Sequence, residues 1–140
     1  MIVDTRKLKE IAEIEFNDIV EDVILTDINE LRIILIDGSF IDVWFSLKLK
    51  GRYSYHWERK FIDGSIYRHD NAPHKMWKTI KTFPKHFHDG DEDKVKESYI
   101  SEKAAKEAPS GEPPEKKIRF LGFPPFPVEP VKRSGERIWH

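Results

Sequence analysis

Two rhythms of apolar and polar positions divide the first half of the chain. Over residues 4–16, Leu8, Ile11, Ala12 and Phe16 recur at helical spacing behind Asp4 and Thr5, residue types that cap a helix start; the spacing predicts one amphipathic helix. From Ile19 the period changes to two. The run "IVEDVILT" ends at the polar "DINE", and "LRIILI" ends at Asp37-Gly38. "SFIDVWFSLKL" ends at Lys50-Gly51, "RYSYHWERKFI" at Asp63-Gly64, and "SIYRHD" follows. Asp-Gly between β-branched and aromatic runs is a strong hairpin signal, because a tight type I′ turn needs positive φ at both central positions. The expected fold is therefore α+β: the helix covers one face of an antiparallel meander of five strands within residues 19–70.

Alternation also assigns faces. In the third run Ile41, Val43, Phe45, Leu47 and Leu49 point one way, while Asp42, Trp44, Ser46 and Lys48 point the other. In the fourth, Tyr53, Tyr55, Trp57 and Phe61 oppose Arg52, Ser54, His56, Glu58 and Lys60. A two-residue Asp63-Gly64 loop would pair Ile62 with Ser65 and set Glu58 opposite His69. That register gathers His56, Glu58, Tyr67, His69 and Asn71 on one polar face, and a slip of one residue would break the set. Leu8, Ile11, Ile33, Leu35, Val43, Phe45 and Leu47 are the expected core. Trp44 falls among polar neighbours and is expected to seed a second small core beneath the following loop.

After Asp70 the alternation stops. Residues 71–90 read as a long basic loop, and 91–107 as a polar helix with Val95, Tyr99 and Ile100 as its few apolar positions. Together these predict a single domain over residues 1–107. Residues 108–117 form a linker by composition. Residues 118–140 hold four of the nine prolines and three phenylalanines, so they can form neither a central strand nor a helix. They are expected as an extended arm anchored by Phe120, Phe123, Phe126 and Trp139. The arm would dock on its own domain or on a second copy, the latter giving a homodimer.

Composition narrows the class. The chain of 140 residues has the size of one domain with a real core. Charged residues make up 35% and cysteine is absent, a composition that suits a thermophile's cytosolic protein. Without cysteine there is no disulfide, thiolate nucleophile or Cys-ligated zinc. No apolar run approaches the roughly 18 residues of a membrane span, and the N-terminus is not a secretory signal, so a cytoplasmic location with no membrane partner is expected. The net charge of −1 hides a division: residues 1–50 carry six basic and eleven acidic side chains, residues 51–88 eight basic and three acidic. The basic segment suits an anionic partner such as RNA, unless the strands scatter those charges over different faces.

That segment also holds five of the six histidines, His56, His69, His74, His86 and His88. Phosphate-loop, zincin and nucleophile-elbow motifs are all missing. A carboxylate beside imidazoles is nevertheless sufficient for acid–base cleavage of RNA, whose ribose 2′-hydroxyl is its own nucleophile. Basic side chains would then neutralise the phosphorane. The candidate catalytic residues are His56, Glu58, Arg68, His69, Asp70, Asn71 and His74. Arg52, Lys60, Lys75, His86 and His88 are candidates for holding substrate. The alternative is a wet hairpin whose Glu58 and His69 form a surface pair worth under about 1 kcal/mol, next to an Asx turn at Asp70-Asn71. No cofactor is expected; were a metal present, Asp70, His74, His86 and His88 would be its ligands, since His86 and His88 share a face if extended.

"YHWE", "YRHDNAPH" and "TFPKHFHDGDEDKV" together resemble the TumE-type toxins of toxin–antitoxin pairs. That family has an aromatic–His–Trp stretch, an Arg-x-Asp-Asn-x-Pro-His element and a "TFPHHKH" element. The matching positions are His56 and Trp57; Arg68, Asp70, Asn71, Pro73 and His74; and Thr82, Phe83, Pro84, His86 and His88, within about residues 20–95. Lys85 departs from a common histidine, "KMWKTIK" looks inserted, and the proline-rich arm replaces a short C-terminal helix. The resemblance implies a toxin with a cognate antitoxin as partner. Three functions follow for testing: a toxin cleaving RNA without metal, a non-catalytic binding or assembly module using the sheet face or the arm, and a metal-dependent phosphodiesterase.

Overall fold

The computed structural model describes residues 5–107, 113 and 117–126. Helix α1 (Thr5–Glu15) buries Thr5, Leu8 and Ala12, with Ile11 packed at the margin of the core. A single antiparallel sheet follows in simple meander order: β1 (Val20–Asp27), β2 (Glu30–Leu35), β3 (Phe40–Phe45), β4 (Tyr53–Arg59), β5 (Ser65–Asp70), β6 (His86–Gly90) and β7 (Val95–Glu97). The five expected strands lie where alternation put them, and two more extend the sheet. Part of the expected loop 71–90 is thus β6, while 91–107 holds β7 and a 3₁₀ turn at Ala104–Glu107 in place of a helix. The missed hairpin follows an Asp89-Gly90 step with Gly90 at φ 88°, the same signal that placed the second connection. Among the described residues no helix is long and apolar enough to cross a membrane.

One face of the sheet carries the core. Leu31, Ile33, Ile41, Val43, Tyr53, Tyr55 and Trp57 are buried with Leu8, Ala12 and Phe16 of the N-terminal segment. Leu47 was expected there and is 58% exposed. The strand stops short of it, because the Ser46 hydroxyl accepts hydrogen bonds from the amides of Lys48 and Leu49 and turns the chain. Phe61 leaves the core for a similar reason. Beyond Arg59 the chain coils into one helical turn, α2 (Lys60–Asp63), closed by Gly64 at φ 78°. Arg59 is the cause. Its buried guanidinium bonds Asp37 at 2.7 Å and Asp63 at 3.0 Å, and the second contact requires the chain to curl back four residues later.

This turn resets the register. Ser65 pairs with Arg59, not with Ile62, so His56 lies opposite Arg68 and Tyr55 opposite His69. The shift is an odd number of residues, and every side chain of β5 changes face relative to the expected pairing.

The C-terminal segment completes the core from the helix side. Ile118, Leu121, Phe123 and Phe126 are buried. Phe120 stacks on Phe16 at 5.3 Å, and Phe123 lies 5.7 Å from Trp57. The expected arm therefore docks on its own chain as far as residue 126; Trp139 and most of the 108–117 linker lie outside the described residues.

Candidate functional site

The sheet face opposite the core is polar across its middle. Arg32, Asp42, His56, Arg68 and His88 are successive cross-strand partners from β2 to β6. A parallel row runs Trp44, Ser54, Asp70 and His86. Strand alternation alone cannot bring these together, because they are distant in sequence; the pairing register does it.

Arg68 is the hub. Its Nη1 and Nη2 donate to both carboxylate oxygens of Glu92, at 2.9 and 2.6 Å, and Nε donates to Asp70 at 3.2 Å. Nη1 also approaches His56 Nδ1 at 3.3 Å. A guanidinium only donates, so His56 Nδ1 accepts and its proton sits on Nε2. From there it points at Glu58 Oε1, 3.2 Å away. The result is an Arg68–His56–Glu58 chain in which the carboxylate orients the imidazole. Glu92 is held below the usual carboxylate range, chiefly by its hydrogen bonds to Arg68.

Next to this chain lies a buried cluster of Asp70, His86 and His88. Asp70 Oδ1 accepts from the Ala72 amide at 2.9 Å and stands 3.2 Å from His86 Nε2. Burial alone would raise the Asp70 pKa, but His86, the Ala72 amide and Arg68 outweigh it and hold the carboxyl below its ordinary range. Burial pushes His86 down, and Asp70 with the Pro84 carbonyl more than reverses this. His88 is lowered, mainly by burial. Trp77, from the 3₁₀ turn Lys75–Trp77, lies about 6 Å from both rings, at 6.2 and 6.1 Å between centroids. Trp77 is thus an aromatic seated by the imidazoles.

The structure separates the remaining candidates. His69 points into the core face: its Nε2–H donates to the Gly122 carbonyl at 2.9 Å, and Nδ1 accepts from the Ser98 hydroxyl at 2.6 Å. It stacks on Phe87 with centroids 4.1 Å apart. Burial pushes its pKa down to about 4, so the ring is neutral at neutral pH. It fastens the C-terminal segment to the sheet. Gly122 approaches it so closely that a Cβ there would collide with the imidazole and with Ile100. Asn71 is a backbone clamp, accepting from the Tyr53 amide at 3.0 Å and donating to the Gly51 carbonyl at 2.8 Å. His74 is exposed, 6.4 Å from the His86 ring. Arg52 and Lys60 flank opposite ends of β4, on the order of 20 Å apart by strand rise, and Lys75 is exposed on the loop. The three cannot grip one phosphate.

Glu92, Arg32 and Asp42 belong to this face and were not among the expected site residues. Arg32 and Asp42 pair bidentately at 2.8 and 2.9 Å; residues 36–38 make the connection, whereas a two-residue Asp37-Gly38 turn would have set Arg32 opposite Val43. Glu92 lies in the connection between β6 and β7, just after the overlooked Asp89-Gly90 step.

A family model described as toxin TumE matches residues 5–109. That span contains α1, the whole sheet and every residue of the polar cluster, and leaves out the C-terminal segment that closes the core. No curated protein and no solved structure matches the chain.

Proposed function

This chain belongs to the TumE toxin family, and from that premise we propose that it is the toxin of a toxin–antitoxin pair which cleaves RNA in the cytoplasm at the polar sheet face. A cognate antitoxin is its partner and would act by covering that face. The observation that carries the reading is the hydrogen-bonded chain Arg68–His56–Glu58. As Arg68 turns to hold the phosphate it frees His56 Nδ1. That nitrogen takes the ribose 2′-hydroxyl proton as the oxygen bonds phosphorus, and returns a proton to the 5′-oxygen as its bond to phosphorus breaks. Glu58 orients and charge-balances the ring. The chemistry asks nothing of a cofactor, because the substrate supplies its own nucleophile.

Expression in a bacterial host without the antitoxin tests this. Wild-type chain should arrest growth and degrade RNA, while His56→Ala and Glu58→Ala, each confirmed folded by circular dichroism, should not. His74→Ala should behave like the wild type, because His74 stands outside the chain. If His56→Ala and Glu58→Ala arrest growth as strongly as the wild type, the catalytic reading is wrong. Binding without RNA loss would favour a non-catalytic module.

A further inference from the structure

We propose that Asp70, His86 and His88 form a binding site for one zinc-class divalent ion. Each offers a ligand atom, and those atoms lie within 4.8 Å of one another. Three features of the geometry point to a cation.

The first is the orientation of the imidazoles. His86 Nδ1 contacts the Pro84 carbonyl at 2.9 Å and His88 Nδ1 the Glu92 carbonyl at 2.8 Å. A carbonyl only accepts, so both rings carry a proton on Nδ1, which leaves Nε2 as the nitrogen that could take a metal. A backbone carbonyl on the second nitrogen is the usual way a metal-binding histidine is aimed.

The second is His86 Nε2. The residue is 1% exposed, and among the described residues this nitrogen has no well-aligned hydrogen bond, only its close approach to Asp70. It faces Asp70 Oδ1 at 3.2 Å. The facing pair takes a positive charge between its two atoms, either the second proton of an imidazolium or a metal ion in that proton's place.

The third is spacing. Ligands at 2.0–2.1 Å in a tetrahedral site stand about 3.3 Å apart, close to the 3.2 Å observed for this pair. Two imidazoles and one carboxylate suit zinc and its neighbours, and leave a fourth position for water or substrate. The Ala72 amide on Asp70 Oδ1 fixes the carboxylate in turn. Arg68, bonded to Asp70, places the site beside the proposed phosphate position. Any use of the ion against phosphate rests on the RNA reading; the binding itself does not.

Cobalt(II) is the probe. The full chain, purified without a histidine tag and stripped with chelator, is titrated with Co²⁺ and followed by visible d–d absorption. One equivalent should bind with the intense bands of a low-coordinate site, and Zn²⁺ should displace it. Asp70→Asn and His88→Asn, both checked for folding, should weaken binding more than the roughly 100-fold that loss of an outer partner costs. His56→Ala should bind cobalt as the wild type does. A wild-type chain that takes up no cobalt overturns the site, as do bands unchanged in folded Asp70→Asn and His88→Asn. Failure here in a protein that still arrests growth leaves the RNA reading standing. Cobalt held at this site by a chain that arrests nothing supports the metal and removes the RNA reading.

Discussion

Arg68→Ala is expected to lower RNA cleavage by about 10²–10³-fold, the usual consequence of deleting one positioned donor at a developing charge. The side chain is half-buried and already organised by Glu92, Asp70 and His56, so little reorganisation precedes phosphate binding. Arg68→Lys should recover only part of the loss, since an ammonium cannot reproduce the two-pronged contact. Glu92 gives the same hypothesis an effect of opposite sign. Its carboxylate fills the guanidinium fork as a phosphate would, on a side chain that is 53% exposed. Glu92→Ala should therefore tighten RNA binding, measured by fluorescence anisotropy on an uncleavable RNA. Cleavage by Arg68→Ala equal to wild type would exclude the arginine from the chemistry.

The second large effect is on stability. Phe123→Ala is expected to cost about 3–5 kcal/mol, read as a lower urea midpoint at unchanged slope. Phe123 is buried against Trp57 and His69, with ring centroids 5.7 and 5.9 Å away. A chain ending at residue 116 should suffer more. It loses Ile118, Leu121, Phe123 and Phe126 from the core and the Gly122 carbonyl from His69. Burying such side chains is worth about 1.5–3 kcal/mol each, partly offset by the order released in the segment. A typical domain has only about 5–15 kcal/mol in total, so binding of a hydrophobic dye to the truncated chain is expected at neutral pH. A truncated chain with wild-type midpoint and no dye binding would mean that the segment merely lies on the surface.

Local chemistry was legible along the chain wherever it needed only a few neighbouring residues. The helical spacing of Leu8 and Ala12, the period-two runs of β1 to β5 and the presence of a turn at Gly38 depend on side-chain direction and backbone sterics, and the structure agrees with them, although that turn spans residues 36–38 in place of two. The motifs around His56, Arg68 and His86 likewise pointed to the family. What short-range pattern could not supply was the connection after β4. An Asp-Gly pair normally closes a two-residue turn, but here a buried arginine draws Asp37 from the preceding hairpin and Asp63 from the turn, a three-body requirement spanning more than twenty positions. The resulting odd shift in register sends His69 into the core and brings Arg68 and Asp70 beside His56. A sheet repeats every two residues, so one long-range ion-pair network was enough to choose which histidines form a site and which hold the fold.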